Sequence, residues 1–207
     1  MTDTMSAYLS AEDRARVIID RKLAESGWVV QDAKQVNLAA GAGVAVREFV
    51  LRAPHGRADY LLFVDRKPVG AIAAKPEGET LTEVELQSAK YGDGLPIGVS
   101  APVLPLPFRY ESTGIETRFT NLQDPVAKSR AVFDGYFHRP DTLAGWVADL
   151  AASPSKGTFR SRLVAMPSID DSNLWQVQTE ALTNLEESMR ANRQRALVQM
   201  ASGAVKT

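Results

Sequence analysis

Asp59 and Lys75 are the two side chains of this 207-residue chain whose types and spacing best suit chemistry. A carboxylate can hold a divalent cation against a phosphate. A nearby lysine can orient an attacking water and offset the charge that builds on the phosphate. Asp59 falls on one predicted strand, and Ala73-Ala74-Lys75 ends the next. If Val64 pairs with Pro68 across a three-residue loop, Asp59 lies opposite position 73, and 73 and 75 share its face. A register shifted by one residue would turn Asp59 to the other face. By residue type alone, an Asp in a strand and a Lys at a strand end are usually solvated edge residues. Gln87 and Tyr91 follow one helical turn apart, on one face of a predicted helix. They could contact phosphate or order the lysine-bearing strand. The plainer alternative is a buried tyrosine with a satisfied hydroxyl and an exposed glutamine.

The elements that must position these residues are read from periodicity and turn chemistry. Ser10 is an N-cap with Glu12 and Asp13 behind it, Ala15, Ile18, Ile19 and Leu23 recur at helical spacing, and Gly27 is a stop. Trp28-Val29-Val30 reads as a short extended segment. Three strands follow, over Val44–Arg52, Arg57–Asp65 and Val69–Lys75, separated by Pro54-His55-Gly56 and Asp65-Arg66-Lys67-Pro68. Connections this short imply an antiparallel meander. Thr82 and Glu85 have capping-box spacing, so a helix follows, stopped by Gly92. The prolines at 96, 102, 105 and 107 mark an ordered crossing loop or an irregular edge. Phe108–Ser112 and Thr117–Thr120 read as a hairpin around Thr113-Gly114, and a helix opens at Arg139-Pro140-Asp141-Thr142 and runs through Leu150. Ser153-Pro154-Ser155-Lys156-Gly157 is the best linker. Residues 173–191 have helical periodicity, and 196–200 form a short, mostly apolar run.

Composition narrows the possibilities. Hydrophobic residues make up 44% and charged residues 24%, ordinary for a globular chain. A formal charge of −1 and a pI of about 6.2 advertise no global basic field, although Lys and Arg can still gather on one face. With no cysteine, disulfides, thiolate metal sites and cysteine nucleophiles are excluded. Two histidines, His55 and His138, make a histidine-rich metal site an unpromising reading. The first ten residues lack the basic-then-apolar pattern of a signal peptide, and no run approaches roughly 18 apolar residues. A cytoplasmic protein that does not enter a membrane is expected.

The wording around Asp59 and Lys75 resembles the R (restriction/motor) subunit family of type I restriction enzymes. The resemblance is carried by ARVIID (15–20), GVAVREFVL (43–51), GRADYLLFVDRKPVGAIAAKPEG (56–78), QSAKY (87–91), LPFRYESTGIETRFTN (106–121) and FHRPDTLAGW (137–146). It runs in order over roughly residues 10 to 207. It implies a PD-(D/E)xK nuclease domain: an α/β, restriction-endonuclease-like mixed sheet flanked by helices, binding Mg2+ and cutting double-stranded DNA. By the same resemblance, Asp59 is the first metal carboxylate, Lys75 the catalytic lysine, and Gln87 and Tyr91 the QxxxY motif. The family carries Glu two residues before the lysine, where this chain has Ala73. A methyl group cannot ligate a metal, so cleavage is expected to be impaired. Glu77 has the strand parity to substitute but follows Pro76, past the expected strand end. Glu48 on the neighbouring strand is a second stand-in, and Asp20 on the first helix a weaker third. Methylation and specificity subunits are the implied partners. The alternative is a non-catalytic DNA- or subunit-binding remnant of such a subunit.

Three regions are therefore expected: a nuclease domain over 1–152, a linker over 153–172, and over 173–207 a truncated, helicase-like stub. Leu174-Trp175-Gln176-Val177-Gln178 resembles the segment preceding a superfamily 2 motor, in which a glutamine (here Gln178) reads adenine. Residues 196–200 resemble the first motor strand, and Ser202-Gly203-Ala204-Val205-Lys206-Thr207 its phosphate loop. That loop needs glycine before the lysine so that backbone amides can curl around phosphate, and β-branched Val205 resists this. Lys206 and Thr207 are thus remnants. With no helix after them, ATP is expected to serve only a complete R subunit.

Overall fold

A computed structural model of the chain describes residues 10–81, 94–155, 157–191, 193 and 195–199. Helix α1 (Ala11–Glu25) begins where Ser10 Oγ accepts the Asp13 amide, with Glu12 and Asp13 on the positive end of the dipole. Its Ala15, Ile19 and Leu23 are buried, four residues apart, and Gly27 at a φ of 89° ends it. Seven strands follow in chain order and lie in that same order in one mixed sheet: β1 (Val29–Asp32), β2 (Gly43–Val50), β3 (Arg57–Val64), β4 (Lys67–Ala74), β5 (Phe108–Ser112), β6 (Thr117–Asn121) and β7 (Arg130–Ala131). β2, β3 and β4 form the expected antiparallel meander. β1 runs parallel to β2 and β4 parallel to β5, while β5–β6–β7 are antiparallel.

The β3–β4 turn is tighter than the sequence suggests. Val64 pairs with Lys67, not Pro68, leaving a two-residue turn of Asp65 and Arg66 at φ of 47° and 65°. Paired positive φ values make a turn whose twist matches the strands it joins. A bulge between Leu62 and Phe63 then restores the lost step, so that Leu62 pairs with Gly70 and Tyr60 with Ile72. The register at the far end is therefore the one that sets Asp59 against position 73. Gly70 lets β4 lie this close to β5, because a Cβ there would sit 2.3 Å from the Phe108 carbonyl oxygen.

Each face of the sheet carries its own core. On one, Ile19 and Leu23 of α1 and Leu143 of α2 (Pro140–Ala152) pack on Ala45, Tyr60, Leu62, Ile72, Phe108 and Tyr110. On the other, Leu95 and Leu106 from the proline-rich crossing segment cover Val44, Val46, Leu61, Phe63 and Ala71. Each such large apolar side chain contributes about 1.5–3 kcal/mol. Within the span read as a linker lies a short helix, α3 (Phe159–Val164), capped by Thr158. Helix α4 (Gln176–Arg190) buries none of its residues: Leu174 just before it, and Ala181 and Leu185 on it, are half-buried, and Val177 is exposed. Residues 195–199 form no strand. No described helix is long and apolar enough to cross a membrane.

Candidate functional site

The last pair in the β3–β4 ladder is Tyr60 with Ile72. Beyond it Asp59 uses its side chain: Oδ2 accepts the Ala74 amide at 2.9 Å. This bond holds the carboxylate at the Ala74 amide, at the end of the β3–β4 ladder. Its other oxygen, Oδ1, accepts from Arg16 of α1 at 2.9 Å. Ala73 is buried on β4 and bears only a methyl group. Lys75 continues the strand through its amide, which donates to the Ser112 carbonyl, and its Nζ pairs with Glu79 at 3.4 Å.

The proposed stand-ins are all accounted for. Glu48 lies across from Asp59 on β2, in a left-handed backbone at a φ of 51° where the ladder is interrupted. Its Oε1 pairs with Arg16 at 2.8 Å and its Oε2 with Arg57 at 2.9 Å. Asp20 accepts from the Tyr60 hydroxyl at 2.8 Å and pairs with Arg47 at 2.9 Å. Burial raises the Asp20 pKa, with Tyr60 and Arg47 opposing. Glu77 is exposed in the turn after β4, past the strand end as expected. Gln87, Tyr91, Lys206 and Thr207 lie outside the described residues. Gln178 turns its Oε1 onto the Trp175 amide at the start of α4.

Two groups escaped sequence reasoning. Arg16 pairs at once with Glu12 (2.8 Å), Glu48 and Asp59, joining α1 to β2 and β3. Burial favours loss of its proton, but Glu48, Asp59 and Glu12 outweigh this and hold its pKa above the usual arginine value. The i,i+4 spacing of Glu12 and Arg16 was the only trace of this in the sequence. The second group is the buried pair Arg109–Glu111 on β5, at 2.9 Å, with Glu111 beside Ala73 in the strand register. The alternation Phe-Arg-Tyr-Glu reads as a half-exposed strand, yet both faces are covered.

The Mg2+ that the resemblance implies needs several free oxygen donors around one point. Both Asp59 oxygens are engaged, both Glu48 oxygens face guanidinium groups, and position 73 has no donor. Among the described residues no three His, Cys, Asp or Glu side chains are grouped to hold a metal ion. The donor set as it stands does not fit Mg2+.

No protein-family model matches the chain, and no curated protein matches it. Among solved structures it is similar to a fragment provisionally named as the HsdR subunit of a type I restriction enzyme from Vibrio vulnificus YJ016, with 21% identity and a TM-score of 0.47. The likeness covers 96% of this chain and 36% of that one, so the chain spans about a third of the other's length.

Proposed function

We propose that this chain is the endonuclease-type domain of a type I restriction R subunit, directed at double-stranded DNA and impaired by Ala73. The observation that carries this reading is the seat of Asp59. Its carboxylate is anchored on the Ala74 amide, between the two positions that would complete a phosphodiester-cleaving site. The sequence segments that resemble the R subunit family support the same reading. In that setting Asp59 would contribute one metal carboxylate, Glu at position 73 the second, and Lys75 would orient the attacking water. Gln87 and Tyr91 would support the site from the helix that the sequence predicts after β4. The partners would be methylation and specificity subunits in the cytoplasm, and ATP would be used only by a complete R subunit.

A second reading, a non-catalytic DNA- or subunit-binding domain, is favoured by one observation. The carboxylates around Asp59 are already satisfied by arginines and an amide. Nicking of supercoiled plasmid in Mg2+ separates the two. The native chain is expected to nick at background rate and Ala73→Glu well above it, with the gain lost in Ala73→Glu/Lys75→Ala. A folded Ala73→Glu chain that leaves plasmid intact would favour the non-catalytic reading. Equal nicking by the native chain would show that Ala73 impairs nothing.

A further inference from the structure

The misfit between the expected cation and the donor set has a specific cause. Glu12, Glu48 and Asp59 come from three elements and converge on one guanidinium, at 2.8, 2.8 and 2.9 Å. A planar guanidinium presents its N–H donors in a wide fork, so it holds three carboxylates further apart than a metal ion would. A Mg2+ or Mn2+ ion would instead draw its oxygen ligands to about 2.1 Å. It would also have to approach against the positive charges of Arg16 and, on the far side of Glu48, Arg57.

We propose that Arg16 is the built-in counter-cation of this site. Its guanidinium takes the place between Glu12, Glu48 and Asp59 that a divalent cation would need. With no ligand at position 73, the carboxylates that remain thus favour the guanidinium over a divalent metal. The inference deepens the nuclease reading, since it names what occupies the cation position of that same site. It concerns metal binding and not cleavage, so it can fail while Ala73→Glu nicks DNA, and it can hold while Ala73→Glu does not.

The test is Mn2+ binding in chains that keep Ala73. In the native chain, Mn2+ should cause no selective paramagnetic broadening of the Asp59, Ala73 and Ala74 amide signals. Selective broadening there would overturn the proposal, and this measurement needs no folded variant. In Arg16→Gln, three carboxylates lose a shared positive charge, and Mn2+ affinity should rise about tenfold or more. Further change of Asp59 to Asn should abolish that gain. A folded Arg16→Gln chain with unchanged Mn2+ affinity would refute the role of Arg16. If Arg16→Gln does not fold, broadening in the native chain decides the question.

Discussion

His138 should make the stability of this domain fall as the pH drops below neutrality. Its Nδ1 lies 2.7 Å from the hydroxyl of fully buried Tyr110, and its ring packs against Phe119 and Trp146 at centroid distances of 4.5 and 4.9 Å. Burial pushes its pKa from 6.5 down to about 4, so the folded protein holds it neutral and able to accept the tyrosine proton. The unfolded chain takes up a proton near pH 6.5 and the folded one only near 4. The folded state is thus the poorer proton binder in that window, and its stability is lost as the pH falls through it. Lowering the pH from 7 to 4.5 should cost about 2 kcal/mol from this residue. Asp20 and Asp124 act in the opposite sense, because burial raises their pKa values and protonation favours the fold. Asp13 and Asp170 are held low by hydrogen bonds with Ser10 and Ser172, and act only at more acid pH. The assay is therefore a comparison of urea melts for the native chain and His138→Asn across this range. The amide oxygen keeps an acceptor near the Nδ1 position, while the titrating ring is gone. The variant should be less stable at pH 7 but should lose about 2 kcal/mol less on acidification. Parallel pH profiles for the two chains would refute the assignment.

Two glycines should respond oppositely to alanine in the same urea melts. At Gly70 the new methyl would meet the Phe108 carbonyl at 2.3 Å, and prying β4 from β5 should cost about 3 kcal/mol. At Gly145, inside α2, the methyl would meet nothing within 4 Å, and better helix propensity should add about 0.5–1 kcal/mol. Ending the chain at Met166 should change stability by about 1 kcal/mol or less, since α4 buries no residue, although its Arg190 donates to the Met166 carbonyl. Calorimetry with ATP and Mg2+ should show no binding before or after that truncation. An ATP signal that disappears with the segment would contradict the reading of Val205 as incompatible with a phosphate loop.

Much of the frame was legible because it is local. Ser10, the spacing of Ala15, Ile19 and Leu23, and Gly27 specify α1 within one stretch of chain, and alternation with turn residues specifies β2, β3 and β4. The register at Asp59 was legible only in its outcome. A three-residue loop and a two-residue turn followed by a bulge both set Asp59 against position 73, and alternation cannot distinguish them. The order of strands across the sheet, with β1 and β5 parallel to their neighbours, depends on contacts between distant segments that periodicity does not encode.

The surroundings of Asp59 were hidden for a different reason. Arg16 lies on α1, four residues from Glu12, and so looks like half of a solvated surface pair worth a few tenths of a kcal/mol. Only the packing of α1 against the sheet brings its guanidinium to Asp59 and Glu48 as well. Glu48 meets it from a left-handed backbone, a conformation that a β-strand pattern gives no reason to expect of glutamate and that costs about 1–3 kcal/mol. Such a conformation persists where surrounding interactions over-determine it, and here ion pairs to Arg16 and Arg57 take both Glu48 oxygens. Ala73 offers no carboxylate beside Asp59, and Arg16 balances those that are there. The residue types that suggested a cation site are therefore present, but in this chain the cation they are arranged around is its own.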